Sequence, residues 1–261
     1  MVIQDAIRAL AERGPLTGSE TAAALEEIMT GNASPAQVGA FLAAMRVRGE
    51  TAEAVAAGLA VMETHAEPCP VSDVIDICGT GGDGIDTINV STAAGFVVAA
   101  AGVRVAKHGN RAASSKCGSA DVLEALGARI DLGGEQVAKV INSCGFGFLF
   151  AQRFHPAMRH VGGPRREIGI RTIFNILGPL SNPARPRAQL VGVGARAIGP
   201  IVAEALALRG MARALVVHSN DGMDEISTAV PTHAWIVADG EVSERDLAPA
   251  EEPPWLEFLG K

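Results

Sequence analysis

Apolar residues in the first 65 positions recur at helical spacing and are broken by short turn signals. Ile3 to about Arg13 is amphipathic and stops at Gly14-Pro15. Thr17-x-x-Glu20 is a capping box that opens a helix through Met29, with Gly31 just past its end. Ser34-Pro35-x-Gln37 is a second box with proline at the first helical position, and its helix closes near Gly49. Thr51 then caps a helix to about His65. Connections this short predict antiparallel neighbours in a small helical domain, residues 1–66. Its apolar faces (Leu25, Ile28, Val38, Phe41, Leu42) need cover, from the rest of the chain or from a second copy.

Glu67-Pro-Cys-Pro-Val-Ser72 carries two prolines where the pattern changes, and reads as a hinge over 67–72. From 73 to 261 strand and helix signals alternate. Strands are predicted at 74–78, 102–106, 128–131, 147–150, 189–193, 213–218 and 234–238, and helices at 91–101, 118–127, 134–144, 156–161, 167–177 and 197–209. The expected fold is α/β, a large domain with a mainly parallel central sheet beside the small N-terminal helical domain.

One stretch at the first strand end carries unusual chemistry. After the β-branched run Val74-Ile-Asp-Ile-Cys78 come four glycines, Gly79, Gly81, Gly82 and Gly84, then Thr87, Asn89, Ser91 and Thr92, and then a small apolar helix. Glycines let several N–H groups point into one space, and a helix N-terminus adds free donors and partial positive charge. Gly79-x-Gly81-x-x-Gly84 also matches a dinucleotide fingerprint, but a polar run separates Gly84 from the helix. A P-loop fails because Ile85 stands where its lysine belongs. A purely structural turn competes; the hydroxyl run favours a phosphate or pyrophosphate site.

Three further stretches could join it. Lys107-His-Gly-Asn-Arg-Ala-Ala-Ser-Ser-Lys116 follows the second strand and reads as an exposed polar loop or, beside the glycine loop, a phosphate grip. His218-Ser-Asn-Asp-Gly-Met-Asp-Glu-Ile-Ser227 sets Asp224 and Glu225 beyond a turn, either a solvated acidic turn or oxygen ligands for Mg²⁺. Arg165, Arg166 and Arg171 could pair with a carboxylate or phosphate, or could be solvated.

Charge and composition narrow the partners. Net charge is −7, which argues against a general nucleic-acid or membrane-surface role. Yet seven arginines lie between Arg153 and Arg187 against one acid, Glu167, which suggests a local anion site. Cys69, Cys78, Cys117 and Cys144 form no paired spacing, no apolar run is long enough to span a membrane, and no signal peptide is evident, so a cytoplasmic location is expected.

These motifs resemble the anthranilate phosphoribosyltransferase family. The resemblance rests on Cys78-Gly-Thr-Gly-Gly-Asp83, Asn89-Val-Ser-Thr92, Lys107-His-Gly-Asn-Arg111, Gly118-Ser-Ala-Asp121, Gly169-Ile-Arg-Thr-Ile-Phe-Asn175 with Gly178-Pro-Leu180, and Asp221-Gly-Met-Asp-Glu225. They occur in family order to about Val242; the stretch 251–261 matches no familiar part of the family, so a C-terminally short large domain is expected. The resemblance implies that Gly79, Gly82, Asp83, Thr87, Asn89, Val90, Ser91, Thr92, Lys107, His108, Gly109, Asn110, Arg111, Ala112, Ala113, Ser114, Ser115 and Ser119 hold phosphoribosyl pyrophosphate. It implies that Ser91, Asp224 and Glu225 hold Mg²⁺, and that Gly79, His108, Asn110, Arg165 and Pro179 meet anthranilate. It also implies a homodimer formed through the helical domain.

The implied reaction is attack of the anthranilate amine on ribose C1 with loss of pyrophosphate, in tryptophan synthesis. An aromatic amine is neutral near pH 7, so no acid–base residue is assigned, and stabilisation comes from Lys107 and metal ions. The alternatives are a pyrimidine nucleoside phosphorylase-like enzyme, an inactive relative, and a nucleic-acid-binding relative, which net charge −7 and intact phosphate loops disfavour.

Overall fold

The computed structural model describes residues 2–85, 87–112 and 116–249. Four helices come first: α1 (Ile3–Glu12), α2 (Gly18–Met29), α3 (Pro35–Arg48) and α4 (Ala52–Thr64). Their caps form as patterned. Thr17 Oγ1 accepts from Glu20 N at 3.3 Å while Glu20 Oε2 accepts from Thr17 N at 2.9 Å. Ser34 and Gln37 repeat the exchange, and Thr51 Oγ1 accepts from Ala54 N at 3.2 Å.

The remaining elements are β1 (Ile75–Gly79), α5 (Val90–Ala100), β2 (Val105–Gly109), α6 (Ser119–Ala125), α7 (Gly134–Cys144), β3 (Phe146–Phe150), α8 (Ala151–Phe154), α9 (Arg159–Ile168), α10 (Phe174–Leu180), β4 (Ala188–Gly192), α11 (Gly199–Leu208), β5 (Arg213–Ser219), β6 (Thr232–Ala238) and β7 (Glu241–Leu247). The seven strands form one sheet in the order β3-β2-β1-β4-β5-β6-β7. β1 to β5 pair in parallel, and β6 and β7 are added antiparallel. The fold is therefore a small helical domain beside an α/β domain with a mainly parallel sheet.

Most of the helical apolar faces are covered from within the chain. A single core joins Phe41, Leu42, Leu25 and Ile28 to Leu177 and Leu206, and through them to Val191, Val216 and Trp235 of the sheet. Phe41 and Leu42 are fully buried, and each contributes about 1.5–3 kcal/mol. The segment from Glu67 is tied to the α/β part: Glu67 N donates to Phe154 O at 2.8 Å, and the Glu67 carboxylate pairs with Arg153.

Four sequence expectations are corrected. Residues 128–131 form no strand; Ile130 is buried against Ala120 and Leu123, and β3 remains the sheet edge. The helix expected at 156–161 is a 3₁₀ turn at Pro156–Met158 that runs into α9. The helix expected at 167–177 is interrupted: Gly169, at φ 63°, takes the left-handed conformation that ends α9, and α10 starts at Phe174. β7 was not anticipated because it is polar and exposed; its signal is Asp239-Gly240, both at positive φ, which turns β6 back on itself.

Candidate active site

Strand order reverses between β1 and β4, so the connections leaving these neighbours run to opposite sides and leave a crevice at the strand ends. A cleft of about 1040 Å³ opens there. Two glycines shape its floor. Gly79 and Gly192 face each other in register, and both lie under Asp224. A Cβ on Gly79 would stand 2.6 Å from Asp224 Oδ2, and one on Gly192 would overlap the Asp224 backbone. The Asp224 carboxylate is thereby free to accept from Gly81 N at 2.8 Å.

Gly81, Gly82 and Gly84 have φ of 58°, 76° and 76°, which L side chains rarely adopt. The loop is braced by Arg171, which itself lines the cleft and whose guanidinium donates to Gly81 O at 3.1 Å and Thr80 O at 3.2 Å. Across the cleft α5 begins at Val90, and the Asn89 side chain makes no cap bond. The Thr92 hydroxyl is buried without a partner among the described residues.

Lys107 is 2% exposed, and its ammonium donates to Ile77 O at 2.7 Å and Ser91 Oγ at 3.1 Å. Burial lowers its pKa, opposed chiefly by the Asp76 charge. Close to Lys107 and Ser91, Glu225 is pushed up to about 7 by burial and then by the charge of Asp224. Asp224 is raised too, first by burial and also by Asp83. Two half-buried carboxylates that oppose each other's ionisation form a site for added positive charge. Among the described residues no three His, Cys, Asp or Glu side chains converge into a metal cage.

Also lining the cleft, Arg165 donates to Asn175 Oδ1 at 3.3 Å and lies 5.7 Å from the centre of the Phe174 ring. His108 is buried and held neutral, its pKa pushed well down by burial, and packs edge-on to His155 at 5.1 Å. Every described residue that the motifs single out as a ligand group, including Gly79, Asp83, Thr87, Asn110, Ala112, Ser119 and Pro179, lines this one cleft. Ala113, Ser114 and Ser115 lie outside the described residues. Arg111 reaches the cleft wall, but its guanidinium pairs with Asp121 and Glu124 at 2.9 and 2.8 Å. Thr80, Phe174 and Asn175, which the sequence placed in motifs without a ligand role, also line the cleft, as does His155.

The chain matches two family profiles, "Glycosyl transferase family, helical bundle domain" over residues 4–66 and "Glycosyl transferase family, a/b domain" over residues 71–253. It is 53% identical to anthranilate phosphoribosyltransferase 2 of Streptomyces coelicolor over 91% of this chain and 71% of that protein. The chain belongs to the anthranilate phosphoribosyltransferase family. The enzyme of that name from Thermus thermophilus superposes with a TM-score of 0.87 at 43% identity, covering 95% of this chain and 74% of that one. The Saccharomyces cerevisiae anthranilate phosphoribosyltransferase, solved in complex with PRPP and Mg, gives 0.87 at 30% identity over 95% and 73%. Among the described residues no helix is long and apolar enough to cross a membrane, and all four cysteines are free thiols.

Proposed function

We propose that the chain transfers the phosphoribosyl group of phosphoribosyl pyrophosphate to the amine of anthranilate. The observation that carries this reading is that one cleft is lined by three unlike groups: Lys107 and the start of α5, the carboxylates Asp224 and Glu225, and Arg165. An anion that also needs a cation, joined to a second, smaller anion, matches that arrangement.

The amine lone pair attacks ribose C1 as the bond from C1 to the pyrophosphate oxygen breaks. The electron pair leaves with pyrophosphate, and the nitrogen loses one proton to solvent. Lys107 and the N-terminal end of α5 line the cleft where charge builds on the leaving group. Arg165 offers a guanidinium to the anthranilate carboxylate, with His108 and Pro179 along the approach. His108, buried and neutral, serves as a wall rather than a base.

Asp224, Glu225 and Ser91 suit Mg²⁺. Their donors are hard oxygens, and the two carboxylates disfavour each other's charge, which suits an ion completed by phosphate oxygens and water. When bound, the ion supplies charge neutralisation for the departing pyrophosphate.

Loss of anthranilate fluorescence on mixing with phosphoribosyl pyrophosphate and Mg²⁺ tests the reading. Turnover that drops in Arg165→Ala and in Asp224→Asn/Glu225→Gln supports it. A folded protein that neither turns over nor binds phosphoribosyl pyrophosphate refutes it. We further propose a homodimer formed through the helical domain. Sedimentation equilibrium at twice the mass of one chain supports it, and a monomer at micromolar concentration refutes it.

A further inference from the structure

β1 and β2 are neighbours that barely pair. They match in register only at Ile75 and Val105, whereas β1 matches β4 at five positions and β2 matches β3 at five. Past that pair, backbone groups of the two strands meet side chains. His108 N donates to Asp76 Oδ1 at 3.2 Å, Lys107 Nζ donates to Ile77 O at 2.7 Å, and Asn182 Nδ2 donates to Ala106 O at 2.7 Å. Asp76 Oδ2 accepts in turn from Gln189 Nε2 at 3.3 Å, and Gln189 reaches Pro179 O at 3.4 Å. Asp76 is 0% exposed, Lys107 2%, Asn182 3%, Gln189 3% and His108 5%, so these groups are shielded from bulk solvent.

A closed ladder between β1 and β2 would satisfy the same backbone groups at lower cost. Burying a carboxylate and an ammonium is expensive, and such pairs stabilise a fold poorly against apolar packing. What the arrangement supplies is position. The strands part where the cleft begins, and the Lys107 ammonium is brought through the gap to Ser91. We infer that Asp76 is a positioning residue: by accepting from the His108 N–H it fixes the β2 backbone from which the Lys107 side chain reaches Ile77 O and Ser91 in the cleft. The inference rests on the phosphoribosyl transfer proposed above. Asp76 touches neither substrate in this reading and acts on Lys107 through the His108 backbone. Its charge is also the largest factor opposing the desolvation of Lys107.

The test is a double-mutant cycle with a separate structural readout. Asp76→Asn keeps the size and removes the charge. It is expected to weaken phosphoribosyl pyrophosphate binding by calorimetry at least about tenfold, with the anthranilate KM little changed. In a Lys107→Met background the same substitution is expected to cost nothing further, because the group it acts through is gone. Hydrogen exchange at the His108 amide, read without any substrate, is expected to speed up in Asp76→Ala. If Asp76→Asn does not fold, Gln189→Leu takes its place with the same expected direction, since Gln189 Oε1 has no partner to lose. Parental binding in folded Asp76→Asn, additive losses in the cycle, or unchanged exchange at His108 would each overturn the inference. A parent that lacks activity while His108 exchange still responds to Asp76→Ala would defeat the proposed function and leave the positioning role standing.

Discussion

Gly79 lies directly beneath the Asp224 carboxylate, so closely that a methyl group on Gly79 would stand 2.6 Å from Asp224 Oδ2. Residues 145 positions apart thus share one small volume at the crevice where strand order reverses. Gly79→Ala must push that carboxylate away from the Gly81 N–H it accepts from at 2.8 Å. Overpacking of this kind costs about 1–3 kcal/mol in stability. The kcat/KM for phosphoribosyl pyrophosphate is expected to fall at least about tenfold, because misplacing a ligand group by an ångström is costly. Steady-state kinetics with Mg²⁺ at saturation checks this, and parental kinetics in Gly79→Ala would contradict it.

Arg165 predicts a different signature. Its guanidinium lines the cleft beside Phe174 and Asn175. Arg165→Ala is expected to raise the anthranilate KM about 10- to 100-fold, the value of losing bonds to a charged group. Calorimetric binding of phosphoribosyl pyrophosphate should stay at the parental level. A loss confined to phosphoribosyl pyrophosphate binding would contradict this role for Arg165.

His155 sets an acid limit on stability. Burial pushes its pKa from 6.5 down to about 4 in the folded chain. Between those values the unfolded chain binds the proton and the folded chain does not. The contribution is therefore fully present above pH 6.5 and is lost as pH falls toward 4. The full span is worth about 3 kcal/mol. Urea unfolding at pH 7.5 and pH 4.5 should show a larger loss in the parent than in His155→Gln. Equal losses in both proteins would exclude the effect.

The packing of α11 on the sheet gives a prediction without a kinetic component. A Cβ on Gly199 would overlap the ring of Trp235, which is 2% exposed. Gly199→Ala is expected to lower stability by about 1–3 kcal/mol in urea unfolding. Since neither residue lines the cleft, kcat/KM is expected to be unchanged. A variant as stable as the parent would mean that α11 shifts freely.

Local chemistry made much of this protein legible before any fold was known. The capping boxes at Thr17 and Ser34 depend on atoms three residues apart, and both form. The glycine loop, the run from Lys107 and the acidic pair at Asp224 each carry their chemistry within about ten residues, so the chain alone named the ligand groups. Punctuation by one residue was harder to weigh. Gly169 divides what read as one helix, and Asp239-Gly240 turns a strand whose polar partner gave no apolar alternation.

Tertiary structure decided the rest, because it depends on distance between segments far apart in the chain. Pairing beyond the first residues of a strand is a choice among partners, and no local pattern states that β1 would close on β4 and part from β2. Asp76 looked like one polar position in an apolar strand; only the opened ladder makes it the acceptor for His108 and the neighbour of Lys107. Arg171 likewise becomes the brace of the glycine loop only when α9 and α10 bring it across Gly81. The chain itself determined which groups line the cleft as candidates for binding, since their chemistry is local. Folding decided how they face one another, since that is set by which strands pair and which are held apart.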